Sequence, residues 1–177
     1  MKELSLHILD LVQNSIRAMA TRVAISVTDS PSQDRVEIAI EDNGHGMDQD
    51  LLDRVREPFT TTRTTREMGL GIPLFQMAAE QTGGALSIES APGQGTCVQA
   101  TFVRSHVDTP PLGDMAETIV TLVQGAPETE FSYRYTGDDR AFVFDTEEIR
   151  AVLEDVPLNE PEVLSWIRDH LRELETA

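Results

Sequence analysis

The run IAIEDNGHGMDQD (residues 38–50) decides how the rest of the chain is read. Ile38 and Ile40 alternate as a half-buried strand does. The alternation stops at Asp42 and Asn43, and Gly44 and Gly46 follow, two residues that lack Cβ and so permit positive φ and close approach. As structure alone this is a strand–turn–helix connection, since Asp-Asn-Gly is common in turns. As chemistry it is a carboxylate at a strand end that can accept the exocyclic amine of adenine and reject the carbonyl of guanine. On that reading the glycines admit a flat ring and Met47 forms an apolar lid.

On the N-terminal side, residues 3–20 read as a helix. Leu4, Ile8, Leu11, Ser15 and Met19 share one side, widened by Val12 and Ile16. Asp10, Asn14 and Arg17 share another face. The Asn14 amide oxygen can complete the shell of a Mg2+ otherwise held by water and phosphate, and Asp10 can position or deprotonate a nucleophile; a solvated polar stripe explains the same residues. RVAISVT (22–28) and RVEIAIE (35–41) alternate as strands joined by the turn SPSQD. A short helix is expected over 48–56 with Asp48 as its cap. Residues 58–70 have no period and read as a long loop. IPLFQMAAEQT (72–82) is a helix closed by Gly83-Gly84. It is preceded by Gly69-Leu70-Gly71, so its free N–H groups suit phosphate. The run lacks the third glycine and the preceding strand of a dinucleotide fold, and no Gly-Lys-Ser/Thr occurs for a P-loop. ALSIESA and TCVQATF form a hairpin around PGQG, where the Thr96 hydroxyl can back Asp42 through a shared water or simply belong to a turn.

Beyond His106 the character changes. TPPLG is a proline-marked linker. A helix (114–124), two strands (EFSYRY and RAFVFD) and helices near 146–154 and 160–175 follow, the last with Asn159 as cap and Trp166 on its core side. The division expected is 1–105 and 106–177.

Composition narrows the function. The 177 residues carry a net charge of −17, which opposes binding to nucleic acid or to an anionic membrane surface. Residues 104–177 hold 17 acidic and 6 basic side chains, so the acid concentrates there. The single cysteine, Cys97, excludes an internal disulfide and reads as a small buried hydrophobe. With neither a signal peptide nor a run of about 20 apolar residues, the expectation is a soluble cytoplasmic protein.

Taken in order, LDLVQNSIRA, DNGHGM, EPFTTTR, GLGI and GTCVQATF resemble the N, G1, F, G2 and G3 boxes of the GHKL ATPase superfamily. Over residues 1–103 the chain looks most like the catalytic domain of a histidine kinase. The resemblance implies an α+β fold of Bergerat type: a mixed, mostly antiparallel sheet with helices on one face, here followed by a small acidic C-terminal α+β unit. It implies ATP and Mg2+ as cofactors, with Asn14 on the metal, Asp42 on adenine, Gly44, Gly46 and Met47 around the base, and Gly69, Leu70 and Gly71 on the phosphates. Thr96 would support Asp42, and residues 58–70, with Thr61, would form a lid. Arg17, Arg63 and Arg66 are basic groups able to neutralise phosphate, or to pair with the many acids. The topoisomerase branch has a general-base Glu where Asp10 stands, which leaves hydrolysis by Asp10 as one expectation. The helix pair that carries a phosphoacceptor histidine is not expected upstream, and His7 reads as structural. The function expected is regulation, by phosphoryl transfer to a separate protein in signal transduction. The alternatives are a nucleotide-gated interaction module and a self-contained ATPase.

Overall fold

The structure, a computed structural model, describes residues 2–56 and 71–177. Thr61, Arg63, Arg66, Gly69, Leu70 and the expected lid lie outside the described residues.

The first helix, α1 (Leu4–Arg17), buries Leu4, Ile8, Leu11, Val12 and Ser15, the stripe its 3.6-residue period dictates. It ends earlier than the apolar pattern suggests. Met19 turns left-handed (φ 63°), Ala20 N–H donates to the Ser15 carbonyl, and Met19 is left exposed rather than packed. At its other end, Leu4 and Ser5 N–H donate to the carbonyls of Pro111 and Leu112, so the proline linker satisfies donors that a helix start leaves open.

The strands β1 (Arg22–Ser30) and β2 (Arg35–Asp42) form the expected hairpin, with Ile25 opposite Ile40 and Val27 opposite Ile38. α2 (Gln49–Arg56) starts with Asp48 accepting from Leu51 N–H at 2.8 Å. α3 (Gly71–Gln81) closes at Gly83, φ +84°. β3 (Ala85–Ser90) and β4 (Thr96–Val103) follow, and β4 pairs with β2 so that Thr96 faces Asp42. Then come α4 (Met115–Gly125), β5 (Glu130–Gly137), β6 (Ala141–Asp145), α5 (Thr146–Leu153) and α6 (Pro161–Thr176).

All six strands make one sheet in the order β3-β4-β2-β1-β5-β6. Among the described residues only the β1–β5 pair is parallel. The segment beyond residue 105 therefore extends the sheet of the first hundred residues, and α4 packs against both α1 and α6. Alternate residues of β1, β2 and β4 (Val23, Ile25 and Val27; Val36, Ile38 and Ile40; Val98, Ala100 and Phe102) are buried and share one core with the helices. This is the expected α+β sandwich with a mostly antiparallel sheet.

Three local expectations change. Trp166 is 52% exposed: α6 buries Val163, Leu164, Ile167 and Leu171, and Trp166 sits one residue, hence about 100°, off that stripe. Glu160, not Asn159, stands at the N-cap of α6, without a side-chain cap bond. Cys97 is half-buried, because it alternates with Val98 and Ala100 and faces away from the core. Burial, then the carboxylates of Glu41, Glu89 and Asp42, push its thiol pKa up.

His7 is buried, with its ring 5.3 Å from Phe75. Burial, then nearby Lys2, hold its pKa below the ordinary value, with Asp10 opposing. A histidine whose folded pKa is lowered stabilises the fold fully above its unfolded pKa, about 6.5, and loses that contribution as pH falls below it. Urea midpoints should therefore decline from pH 7 to pH 5.5, and His7→Leu should flatten that decline. An unchanged slope in the variant would remove His7 as its source.

Candidate functional site

Asp42 ends β2 with both carboxylate oxygens engaged. Ser15 Oγ donates to Oδ2 at 2.6 Å, and Gly44 N–H donates to Oδ1 at 2.8 Å. A carboxylate offers about four acceptor positions, so each oxygen keeps capacity for a further donor while its orientation is fixed from two sides. Asn43 acts separately. Its side-chain carbonyl accepts from Thr21 and Arg22 N–H, both at 2.9 Å, and its amide donates to Thr21 Oγ1. These bonds tie the turn after β2 to the start of β1.

The glycines serve close approach of backbone to backbone. A Cβ on Gly46 (φ +70°) would lie 2.0 Å from the Ala91 carbonyl oxygen, and one on Gly95 (φ +77°) would lie 2.0 Å from the Asp42 carbonyl oxygen. Gly93 N–H donates to the His45 carbonyl, and His45 N–H donates to the Ala18 carbonyl. Three turns, after α1, after β2 and between β3 and β4, are thus clamped together. Gly44 makes room for Ala18, whose carbonyl oxygen would be 2.7 Å from an added Cβ.

Beside this clamp is a cavity of about 280 Å3 between α1, β2, β4 and the start of α3. Asn14, Ser15, Arg17, Asp42, Gly46, Met47 and Thr96 all line it, so residues read from three separate motifs converge on one space. Its apolar walls are supplied by Leu11, Ile40, Leu51, Ile72 and Val98. Met47 is buried, its N–H held by Ser90 Oγ at 2.9 Å. Gly44 and Asp10 do not line the cavity. Gly71 begins α3 beside it, where an added Cβ would be 3.5 Å from Asp10 Cβ and 3.8 Å from Asn14 Nδ2.

The structure adds polar contacts to the sequence reading. Thr96 Oγ1 bonds Ser90 Oγ at 2.8 Å, and a hydroxyl that bonds Asp42 directly belongs to Ser15. Ser15 was legible only as a hydroxyl inside the apolar stripe of α1. Asp10 is ion-paired with Lys2 at 2.5 Å.

Arg17 donates to Asn14 Oδ1 at 3.1 Å, while Asn14 Nδ2 is buried without a hydrogen-bond partner among the described residues. Among the described residues no three His, Cys, Asp or Glu side chains gather as a metal cage. A lone amide oxygen suits a Mg2+ whose other ligands are phosphate and water. The donor set therefore fits a metal that arrives with a nucleotide. Among the described residues no helix is long and apolar enough to cross a membrane.

Comparison with known proteins agrees with this geometry. Residues 2–106 match the family model described as histidine kinase-, DNA gyrase B-, and HSP90-like ATPase. The sensor protein kinase FleS of Pseudomonas aeruginosa is 36% identical over 110 residues, 62% of this chain and 27% of that kinase. The sensor histidine kinase ZraS of Escherichia coli K12 is 36% identical over 89 residues, 50% of this chain and 19% of that one. The chain thus spans less than a third of either kinase. The fold is also that of the Aquifex aeolicus MutL ATPase domain complexed with ADP, with a TM-score of 0.54 and 16% identity over 87% of this chain and 70% of that one.

Proposed function

This chain belongs to the histidine kinase-, DNA gyrase B- and HSP90-like ATPases, and we propose that its ATP-binding domain takes ATP with Mg2+ and hands the terminal phosphoryl group to a separate protein. The observation that carries the reading is the convergence of Asn14, Arg17, Asp42, Met47 and Thr96 on one cavity that α3 opens toward with its N-terminus.

In this reading the adenine amine donates to Asp42, whose orientation Ser15 and Gly44 hold. Guanine would present a carbonyl oxygen to that carboxylate, leaving two acceptors face to face at a cost of roughly 1–3 kcal/mol. Ile40, Met47 and Val98 enclose the base. Arg17 turns from Asn14 to the phosphates, and the first N–H groups of α3, from Gly71 onward, receive them. Mg2+, when bound, neutralises phosphate charge and helps orient the terminal group. Asn14 is the residue that would hold it. The partner protein supplies the nucleophile, and the chain's own residues position the donor.

The Lys2 ion pair on Asp10, together with the place of Asp10 outside the cavity wall, supports transfer or nucleotide-gated binding over hydrolysis with Asp10 as base. Asp10→Asn should accordingly leave ATP affinity within about twofold of wild type, because its carboxylate is taken up by Lys2. The test of transfer is incubation of the chain and γ-labelled ATP with fractionated extract of its source cells. A labelled second protein that disappears with Asp42→Asn supports transfer. Binding of ATP with no labelled protein in any fraction would leave gated interaction as the function.

A further inference from the structure

A second depression lies at the far end of the sheet, away from the nucleotide cavity. It has a volume of about 590 Å3 and is walled by β6, α5 and α6. Exposed apolar side chains line it. Val143 is 54% exposed, Val152 82% and Trp166 52%, and all three line it together with Ile149 and Val163. Trp166 stacks on His170, which also lines the groove, with centroids 4.8 Å apart and planes at 15°. The sheet order ends at β6, so the outer edge of that strand has no strand partner among the described residues.

The rim is acidic. Asp145, Glu148 and Glu162 line the groove, and among the described residues no Lys or Arg does. Neither Glu148 nor Glu162 has an ion-pair partner among the described residues. Three other acids on this half of the chain are paired: Glu117 with Arg168, Glu130 with Arg150 and Glu147 with Arg22. Apolar surface of this extent, rimmed by charge of one sign, marks a site for another molecule, and the charge states which kind.

We infer that this groove docks a basic segment of a partner protein, one that places a large apolar side chain against Trp166 and its Lys or Arg side chains on Glu148 and Glu162. A second copy of this chain fits poorly, because its net charge is −17 and that of residues 104–177 alone is −11. The inference is independent of the nucleotide reading, since no groove residue lines that cavity.

Trp166 is the only tryptophan in the chain, so its emission reports on this groove alone. The whole protein, without nucleotide, is titrated with a tryptophan-free peptide in which Lys alternates with Leu and Phe, and with a twin in which Glu replaces Lys. The basic peptide should move the emission to shorter wavelength and saturate; the acidic twin should leave it unchanged. Glu148→Gln with Glu162→Gln should weaken the basic peptide about fivefold to tenfold, from two exposed charge pairs, and Val152→Ser, which removes apolar contact without adding charge, should weaken it as well. The inference is overturned by an unmoved emission, an equal response to both peptides, or undiminished affinity in the double variant. An emission shift that follows protein concentration without peptide would also overturn it, by making a second copy the occupant.

Discussion

Asp42→Asn should weaken ATP binding about thirtyfold or more while leaving the urea midpoint nearly unchanged. The carboxylate is an acceptor lining the cavity, and a hydrogen bond to a charged group contributes about 1.5–3 kcal/mol. An asparagine keeps the shape but turns an amide N–H2 toward one of the donors now facing Asp42: Ser15, Gly44 or the adenine amine. Ser15→Ala separates orientation from charge. It removes the 2.6 Å bond to Oδ2 but leaves the carboxylate, and should cost about 1 kcal/mol, roughly fivefold. Titration calorimetry on the three proteins checks the order wild type, Ser15→Ala, Asp42→Asn. Equal affinities in all three would place the base elsewhere.

The second large effect is on stability. Gly46→Ala should lower the free energy of unfolding by about 3 kcal/mol or more. Its φ of +70° costs an L-residue about 1–2 kcal/mol. In addition the new Cβ would stand 2.0 Å from the Ala91 carbonyl oxygen, so the β3–β4 turn must give way. Gly93→Ala is the control: it has the same hand of backbone, φ +73°, with no atom of the other described residues, its chain neighbours aside, within 4 Å of the added Cβ, and should cost only about 1 kcal/mol. Urea denaturation of both variants measures the difference. Similar losses would mean that the clamp between these turns is not what requires glycine at 46.

The two effects also show what the sequence could reveal. Elements whose signal is local were legible: the period-2 strands around Ile25 and Ile40, the stripe of α1, the Gly83 terminus of α3 and the Asp48 cap. The site was legible in outline, because Asn14, Asp42 and Gly71 lie in short motifs whose order carries a family resemblance. Pairings at a distance were not. Ser15 bonds Asp42 across 27 positions, and only the fold brings the end of α1 over the end of β2. The parallel pairing of β5 with β1 leaves no mark on either strand, so the C-terminal segment read as a separate unit although it continues the same sheet. Trp166 read as core because its neighbours are core; which face of α6 meets α4 settles a position one residue off the stripe.

Every role proposed for the cavity depends on the Asp42 carboxylate reading the amine of adenine. Titrating the wild-type chain, with Mg2+, by ATP and by inosine triphosphate isolates that contact, because inosine carries a carbonyl oxygen in place of the amine. ATP should bind at least about tenfold tighter, the 1.4 kcal/mol that one misplaced acceptor costs. Equal affinity for the two nucleotides would remove Asp42 from the base.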